Sequence, residues 1–347
     1  MTDAAPSPQE AARRAFATGR EVRWCPGCGN YSILTQLQRT LAELGTPREK
    51  IVFISGIGCS SRLPYYMNTY GFHTIHGRAP TVATGLRIVN PELQIWLVTG
   101  DGDGLSIGGN HLMHLLRRNM DVKVLLINNR IYGLTKGQAS PTTPLGTKTK
   151  TTPQGAIVNP VEPLRFAVAS KAGFVARAID AFPAHLGQMF RRAAAHKGAA
   201  FIEIYQNCVV FNDGAFRHFT DREVRPDRII ELEHGKPMRF GKDLSKGLAF
   251  RKNTAHIEVV DGADPNVIVH DESLFDSTMT YALARLRYPD YPIPIGVYRD
   301  VSERSYGITF EEALEQKVRE SKAERPADLR RLLLGDQTWT VPPASPA

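Results

Sequence analysis

Short runs of apolar, often β-branched residues recur along the first two thirds of the chain and predict the strands of a buried sheet. The clearest runs are Ile51–Ser55, Gln94–Thr99, Val122–Ile127 and Ala200–Tyr205. Between them the apolar positions follow the helical period, most clearly over Tyr31–Leu44, Ser106–Arg118 and Pro183–His196. This alternation predicts an α/β fold: a doubly wound, mostly parallel sheet with helices on both faces.

The two ends of the chain lack this alternation. Residues 1–20 are polar and alanine-rich, and we expect a flexible N-terminal segment there. The predicted α/β domain spans residues 21–220. Residues 221–347 are rich in proline and charge, with one good helical pattern near Ser273–Arg287. We expect an irregular C-terminal extension that packs on the core or on a partner subunit, and a separate second domain is the alternative.

Composition narrows the classes of function. The chain is 42% hydrophobic, and no apolar run comes near the roughly 18 residues that a membrane span needs. The start has no apolar signal-peptide core and the cysteines are few, so we expect a reducing, cytoplasmic location. The net charge is +8, but basic and acidic residues are interspersed. This favours an acidic protein partner or an anionic ligand, and we expect no nucleic-acid or membrane partner.

Each of the four predicted strands runs into an unusual loop. These loops are Gly56-Ile-Gly-Cys-Ser-Ser61, Gly100-Asp-Gly-Asp-Gly104, Asn128-Asn-Arg-Ile-Tyr-Gly133 and Gln206-Asn-Cys208. In open α/β sheets, ligands bind at the carboxyl ends of the strands. The four loops are therefore expected to converge on one edge of the sheet, although each alone could be an ordinary turn.

The Gly100–Gly104 loop carries the strongest local signal. It is not a dinucleotide fingerprint, because Leu105 stands where a third glycine is needed, and it is not a Walker loop. Its two carboxylates would repel a diphosphate unless a divalent cation lay between them. Mg²⁺ commonly joins a carboxylate or two to substrate phosphates. Asn128-Asn129, one helix and one strand further along, is placed to supply a second oxygen ligand.

The four cysteines allow several interpretations. Cys25 and Cys28 form a Cys-x-x-Cys pair, while Cys59 and Cys208 stand alone. A thioredoxin-like redox pair would leave the other two unexplained, and a zinc ribbon needs a second nearby Cys-x-x-Cys that this sequence lacks. A [4Fe–4S] cluster needs four thiolates and tolerates scattered ones.

Taken together, the motifs resemble the β subunit of 2-oxoacid:ferredoxin oxidoreductases, of the 2-oxoglutarate type. Gly-Asp-Gly followed by Asn-Asn is similar to the thiamine diphosphate motif of thiamine-dependent enzymes. The closer resemblance is carried by Trp24–Asn30, Gly56–Ser61, His76–Pro80 and Gly133–Gln138. It covers about residues 20–220 and implies the thiamine diphosphate-binding fold.

The resemblance implies three cofactors: thiamine diphosphate, Mg²⁺ and one [4Fe–4S] cluster. Asp101, Asn129 and the backbone carbonyl of Ile131 would hold Mg²⁺. The residues implied to line the organic cofactor are Ile57, Gly58, Cys59, Ser60, His76, Gly100, Gly102, Asp103, Asn129, Gly133 and Leu134. The implied cluster ligands are Cys25, Cys28, Cys59 and Cys208. For single residues simpler roles stay open, such as a helix N-cap for Asp103.

The implied reaction is oxidative decarboxylation of a 2-oxoacid to acyl-CoA and CO₂, with ferredoxin as the electron acceptor. His76 and Lys136 are the expected catalytic residues. Lys136 follows the metal loop and could pair with a distal carboxylate, which favours 2-oxoglutarate over pyruvate. The alternatives are a lysine that faces solvent or a phosphate, and a pyruvate-specific or broad enzyme. The loop 140–155 is expected to be a mobile cover over the site.

The resemblance also implies partners. No segment resembles the domain that supplies the glutamate beside the aminopyrimidine, so we expect an α subunit, in an αβ or (αβ)₂ complex. No cysteine remains for a second cluster, so an external ferredoxin is expected as the acceptor. The competing hypotheses are a cluster-free thiamine decarboxylase or synthase and a zinc-stabilised, non-catalytic assembly subunit.

Overall fold

The computed structural model describes residues 7–320, 325–339 and 341. The strands are β1 Ile51–Ser55, β2 Tyr70–His73, β3 Gln94–Gly100, β4 Lys123–Asn128, β5 Phe174–Ile179, β6 Ala200–Tyr205, β7 Ile229–Leu232, β8 Arg239–Phe240, β9 Lys246–Phe250, β10 Ile257–Asp261 and β11 Ile293–Asp300. The α-helices are α1 Pro8–Ala15, α2 Asn30–Leu44, α3 Ala79–Val89, α4 Gly109–Arg117, α5 Pro163–Ala169, α6 Pro183–Ala195, α7 Arg217–Thr220, α8 Arg225–Arg228, α9 Thr278–Ala284, α10 Tyr306–Glu320 and α11 Arg325–Leu334. Short 3₁₀ or π-helical turns lie at Arg48–Lys50, Ser60–Tyr66, Asp103–Ile107 and Lys242–Leu244.

The main sheet has eight strands in the order β2-β1-β3-β4-β6-β5-β11-β7. Every neighbouring pair is parallel except β5 and β11. The carboxyl ends of the four predicted strands β1, β3, β4 and β6 therefore point to one edge. The prediction of a mostly parallel α/β sheet is confirmed.

Helices cover both faces of this sheet. On one face, Leu37 of α2 and Phe190 of α6 pack with Trp96 of β3 in one apolar cluster. On the other, Leu115 of α4 and Leu164 of α5 pack with the alternate strand residues. The central strands are buried on both sides, which is why they appear in the sequence as nearly continuous apolar runs.

The N-terminal segment differs from the flexible lead-in expected over residues 1–20. Residues 8–15 form α1, whose first turn is capped by Ser7: the Glu10 amide donates to the Ser7 hydroxyl over 3.2 Å. Arg13 reaches α2 and donates to Gln38 Oε1 over 2.7 Å, and Phe16 is buried in the core. Residues 1–6 lie outside the described part of the chain.

The C-terminal region is more regular than the extension expected over residues 221–347. Its strands β7 and β11 join the main sheet, and β11 is buried along nearly its whole length. Strands β8–β10 form a small antiparallel sheet, and the expected helix near 273–287 is confined to α9. The sequence hides β11 because Pro294 and Gly296 interrupt its apolar run. The expected packing on the core thus takes the form of added strands.

Helix α10 carries no buried residue. Within the described ranges, no helix is long and apolar enough to cross a membrane.

Candidate active site

The carboxyl ends of β1, β3 and β4 enclose a small cleft, which we call the central cleft. Its lining includes every residue predicted to contact the organic cofactor or Mg²⁺: Ile57, Gly58, Cys59, Ser60, His76, Gly100, Asp101, Gly102, Asp103, Asn129, Ile131, Gly133 and Leu134. Ile127, Tyr132 and Thr135 complete the wall. The volume is about 100 Å³, well below the roughly 300 Å³ at which pockets enclose a whole ligand.

Asp103 links the walls of the cleft by hydrogen bonds. Its carboxylate is only 2% exposed, and Oδ1 accepts hydrogen bonds from the Ile57 amide (3.2 Å) and the Gly77 amide (2.7 Å). Oδ1 also lies 2.6 Å from His76 Nδ1. Because an ionised carboxylate only accepts, His76 must carry a proton on Nδ1, which leaves Nε2 for a ligand.

The other oxygen of Asp103 accepts a hydrogen bond from Thr99 Oγ1 over 2.6 Å. Asp103 therefore holds the β1 loop and the His76 loop against the end of β3. A simple N-cap is not its role: Gly102 occupies the N-cap position of this turn, and the Asp103 side chain bonds to other elements.

Asp101 is a buried carboxylate with a short polar shell. It is 2% exposed, and its Oδ2 accepts from Ser140 Oγ at 2.5 Å and from Thr142 Oγ1 at 2.7 Å. Burial raises the pKa of Asp101, and these hydroxyl groups only partly oppose the shift. A carboxylate in such a place is suited to a cation that would hold it ionised.

Asn129 and Asn128 have different surroundings. Asn129 lines the central cleft, and its Oδ1 accepts from the Ile131 amide over 3.1 Å, which leaves one lone pair for a further partner. Asn128 is buried and donates to Glu203 Oε1 over 2.8 Å. Of the two asparagines, only Asn129 is free to meet a metal ion in the central cleft.

Gly102 and Tyr132 form a close contact that the sequence did not reveal. The Tyr132 hydroxyl donates to the Gly102 carbonyl over 3.1 Å. An added Cβ at Gly102 would lie 2.1 Å from the Tyr132 ring, so only glycine fits there. Tyr132 thus fixes the position of the Gly-Asp-Gly backbone by packing against it and by its hydrogen bond.

The four cysteines come together beside the central cleft. The Cys28 amide donates to the Cys25 carbonyl over 3.0 Å, and the Trp24 indole donates to the Cys59 carbonyl over 2.7 Å. A Cβ built on Gly133 would lie 3.5 Å from the Cys208 sulfur and 3.7 Å from the Cys59 sulfur. Cys59 and Gly133 both line the cleft, so Cys59 borders the cleft directly and Cys208 lies behind Gly133.

The thiols also influence one another. The pKa of Cys28 is raised to about 12, chiefly by burial and further by the nearby charges of Cys208, Cys59 and Cys25. Burial and two of its neighbours raise the pKa of Cys59 as well. Four mutually repelling thiolates are stable together only beside a strong positive charge, so these residues suit either a metal ion or an iron–sulfur cluster.

Lys136 and the loop 140–155 do not lie as the sequence predicted. Lys136 is exposed in a tight turn, with a φ of 77°, and does not line the central cleft. The loop 140–155 begins with buried residues, since Ser140 and Thr142 bind Asp101 and are 8% and 5% exposed. Among the described residues, no three or more His, Cys, Asp or Glu side chains form a ready-made cage for a metal ion.

Sequence reasoning missed the supporting residues Tyr132, Ser140, Thr142 and Gln206. Tyr132 and Gln206 stand inside loops that the sequence marked as functional, but their partners come from other strands. Ser140 and Thr142 lie in the segment expected to be mobile. In the sequence they appear only as small hydroxyl-bearing residues soon after the Asn128–Gly133 loop. This pattern is too common to single them out.

A parallel sheet with a Gly-Asp-Gly loop and an asparagine at neighbouring strand ends defines a thiamine-dependent enzyme domain. In agreement, residues 56–204 match the family model of the C-terminal, TPP-binding domain of thiamine pyrophosphate enzymes. The chain is 47% identical over 334 residues to the 2-oxoglutarate oxidoreductase subunit KorB of Mycobacterium tuberculosis, covering 94% of this chain and 87% of that protein.

Less similar proteins indicate the same enzyme family. The chain is 43% identical over 224 residues to the 2-oxoglutarate synthase subunit KorB of Methanocaldococcus jannaschii, covering 64% of this chain and 82% of that protein. A solved 2-oxoglutarate:ferredoxin oxidoreductase from Magnetococcus marinus, with 2-oxoglutarate, coenzyme A and succinyl-CoA bound, superimposes with a TM-score of 0.72 at 32% identity, covering 88% of this chain and 90% of that one. The chain therefore belongs to the β subunits of 2-oxoacid:ferredoxin oxidoreductases, an enzyme family. The resemblance inferred from the motifs is confirmed.

Proposed function

We propose that this chain is the β subunit of a 2-oxoglutarate:ferredoxin oxidoreductase. Its complex would convert 2-oxoglutarate and coenzyme A to succinyl-CoA and CO₂, and pass two electrons singly to ferredoxin. The observation that carries the proposal is the convergence at Gly133: the glycine lines the central cleft and lies against the sulfurs of Cys59 and Cys208. An organic cofactor and an electron acceptor would thus be neighbours.

Mg²⁺ would be held by Asp101, Asn129 and the carbonyl of Ile131. Ser140 and Thr142 orient the Asp101 carboxylate by donating to Oδ2, and the Ile131 amide orients Asn129. Such supporting contacts hold a ligand in place before the ion arrives. The buried setting of Asp101 strengthens its attraction for a cation.

The diphosphate would lie against the β1 loop and the Gly-Asp-Gly loop, near His76. Asp103 keeps these parts at fixed distances, and it fixes the protonated nitrogen of His76 as Nδ1. Thiamine diphosphate, when bound, supplies the electron sink for decarboxylation, and the cluster supplies a one-electron acceptor. The expected cytoplasmic location fits this chemistry, because reducing conditions keep the thiols available for iron.

The small volume of the central cleft supports the need for a partner. A cleft of about 100 Å³ can hold only part of a cofactor, so a second surface must enclose the rest. Exposed apolar side chains lie on the edge strand β2 and on the segment that leads from it to His76: Tyr70 is 63%, Phe72 47% and Ile75 76% exposed. Such a patch is typical of an interface, and we assign it to the α subunit.

A broad or pyruvate-preferring enzyme is the second candidate. The place of Lys136 outside the cleft lining favours it, because the preference for 2-oxoglutarate rests on that lysine. Both candidates use the same cofactors and differ only in the substrate.

The test is to co-purify the chain with its α subunit without oxygen and to assay ferredoxin reduction with each 2-oxoacid. We expect coenzyme A-dependent reduction with 2-oxoglutarate and much slower reduction with pyruvate. Preference for pyruvate would replace the first candidate by the second. Absence of ferredoxin reduction with every 2-oxoacid, in a complex that holds all cofactors, would overturn both.

A further inference from the structure

The segment Asn128–Ile131 faces two separate cavities. Asn129 and Ile131 line the central cleft, whereas Asn128 and Arg130 line a second cavity. The two directions arise where the chain leaves β4, which ends at Asn128. Arg130 itself has a φ of 60°, in the left-handed region that few non-glycine residues adopt. The two cavities therefore share one stretch of backbone.

The second cavity lies where the C-terminal region packs on the end of the main sheet. Its volume is about 220 Å³. Arg177 of β5 and Tyr205 of β6 form one wall, and the residues from Ala284 to Tyr288 form another. We call it the arginine cavity, because Arg130, Arg177, Arg285 and Arg287 all line it.

Positive charge exceeds negative charge in this cavity. The lining carboxylates are Glu203, which binds Arg177 at 2.8 Å, and Glu162, which lies 2.7 Å from Arg165 and 3.5 Å from Arg287. Among the described residues, neither Arg130 nor Arg285 forms an ion pair.

Arg130 is held by aromatic rings instead of a carboxylate. Its guanidinium lies 5.4 Å from the centre of the Tyr205 ring and 4.8 Å from that of Phe216. Stacked in this way and hydrogen-bonded to the Tyr205 side chain, the guanidinium keeps a fixed orientation, and its remaining donors can meet a ligand. Burial lowers the pKa of the neighbouring His218, and the charges of Arg130 and Arg228 lower it further.

We propose that the arginine cavity binds a small, multiply charged oxyanion of the dicarboxylate or phosphate kind. Guanidinium groups match the planar and tetrahedral oxygen pairs of these anions with two parallel hydrogen bonds. A volume of about 220 Å³ suits a compact anion and excludes a nucleotide-sized ligand.

The arginine cavity and the central cleft share hydrogen-bonded residues, so a ligand in the cavity can influence the geometry of the cleft. The Thr142 hydroxyl lines the arginine cavity and lies 2.7 Å from Asp101 Oδ2 and 2.9 Å from Asn128 Oδ1. An anion held by Arg130 would also fix the backbone between Asn129 and Ile131. Occupancy of one cavity is then linked to the geometry of the other.

The experiment measures anion binding to the full-length protein by calorimetry, without thiamine diphosphate and without turnover. The probes are inorganic phosphate, succinate and citrate, each at an ionic strength matched with sodium chloride. The cavity variant is R285Q/R287Q, whose two exposed side chains lie away from the central cleft. The matched control is R251Q/K252Q, which removes two exposed charges from the small antiparallel sheet region.

We expect at least one probe to bind the wild type, and its affinity to fall about tenfold or more in the cavity variant, as for loss of charged hydrogen bonds. The control should change affinity less than about twofold. The preferred probe distinguishes a phosphate site from a dicarboxylate site. Equal affinity in the cavity variant and the control, or no binding of any probe to the wild type, would overturn the proposal. Neither result depends on whether thiamine diphosphate binds.

Discussion

Gln206 is hydrogen-bonded to Cys28: its Nε2 donates to the sulfur over 3.3 Å. Its Oε1 accepts from Asn129 Nδ2, also over 3.3 Å. One side-chain amide thus joins an expected cluster ligand to an expected Mg²⁺ ligand. Hydrogen bonds to the sulfurs are among the factors that set the reduction potential of an iron–sulfur cluster.

Replacing Gln206 with leucine should lower the reduction potential of the cluster. The amide donor stabilises the more negative, reduced state, and one hydrogen bond of about 0.5–1.5 kcal/mol corresponds to about 20–60 mV for one electron. The measurement is a redox titration of the purified complex followed by electron paramagnetic resonance. Gln316→Leu, on the exposed helix α10, serves as the control and should leave the potential unchanged. An unchanged potential in Gln206→Leu would show that this hydrogen bond does not reach the cluster.

Asp103→Asn should weaken the binding of thiamine diphosphate with Mg²⁺. The carboxylate accepts from Ile57, Gly77 and Thr99 and contacts His76, and an amide can accept through only one of its atoms. We expect the dissociation constant to rise about 10- to 100-fold, as for loss of one or two buried, charged hydrogen bonds. Calorimetric titration of the metal-loaded cofactor measures this.

Thr99→Val is the matched control for this variant. It removes the one donor that the described residues offer to Asp103 Oδ2, and it keeps the contacts to the cleft loops. The effect of Thr99→Val on cofactor affinity should stay below about threefold. The thermal stability of this variant should fall, because a buried acceptor loses its partner. If Asp103→Asn bound the cofactor as tightly as the wild type, Asp103 would have no role in shaping the cleft.

Lys136→Gln should reduce the use of 2-oxoglutarate more than the use of pyruvate. In the proposed 2-oxoglutarate enzyme, Lys136 would pair with the distal carboxylate of the substrate, which pyruvate lacks. We expect kcat/KM for 2-oxoglutarate to fall about tenfold or more, with pyruvate changed less than about twofold. Lys136→Arg should retain much of the preference, and Lys150→Gln, in the exposed part of the neighbouring loop, should behave as wild type. Equal losses on both substrates would remove the basis for choosing 2-oxoglutarate.

His185 should make stability depend on pH. Its side chain is 9% exposed, its ring nitrogens have no hydrogen-bond partner in the described chain, and burial lowers its pKa to about 4. The unfolded state takes up a proton near pH ~6.5, whereas the folded state stays neutral down to about 4. The contribution of neutral His185 to the free energy of unfolding is therefore fully present above pH ~6.5. It is lost as the pH falls from there toward about 4.

The comparison is between wild type and His185→Leu in denaturant unfolding at pH 7 and pH 5. Between these values the wild type should lose up to about 2 kcal/mol more of its free energy of unfolding than the variant does. Leucine cannot be protonated, so the other titrating groups are common to both proteins. A parallel pH dependence of the two proteins would contradict the burial of a neutral His185.

The fold was predictable where strands are buried on both faces. The apolar runs of β1, β3, β4 and β6 are visible because no side of these strands can be polar. β2 escaped detection because all four of its residues are exposed, and β11 because Pro294 and Gly296 break its pattern. Helix α1 was missed because it is short and strongly polar on average, and its apolar face carries only alanines and no large apolar side chain.

The candidate site was predictable to the extent that its residues are carried by loops at the ends of predicted strands. Asp101 and Asn129 follow strands directly, and Gly133 lies in the loop after β4, so parallel topology brings them to one edge. The resemblance implied Asn129 and not Asn128, and the structure adds the physical reason, because Asn128 is bonded to Glu203 in a neighbouring strand. The support given to Asp101 by Thr142 depends likewise on how a later loop folds back.

The most direct test of the account is the metal content of the complex purified without oxygen. We predict about four iron atoms and four sulfides per chain, a brown colour with broad absorbance near ~400 nm, and loss of all three in Cys208→Ser. A colourless wild-type protein with stoichiometric zinc and no iron would contradict the proposal that Cys25, Cys28, Cys59 and Cys208 hold an electron-accepting cluster beside the central cleft.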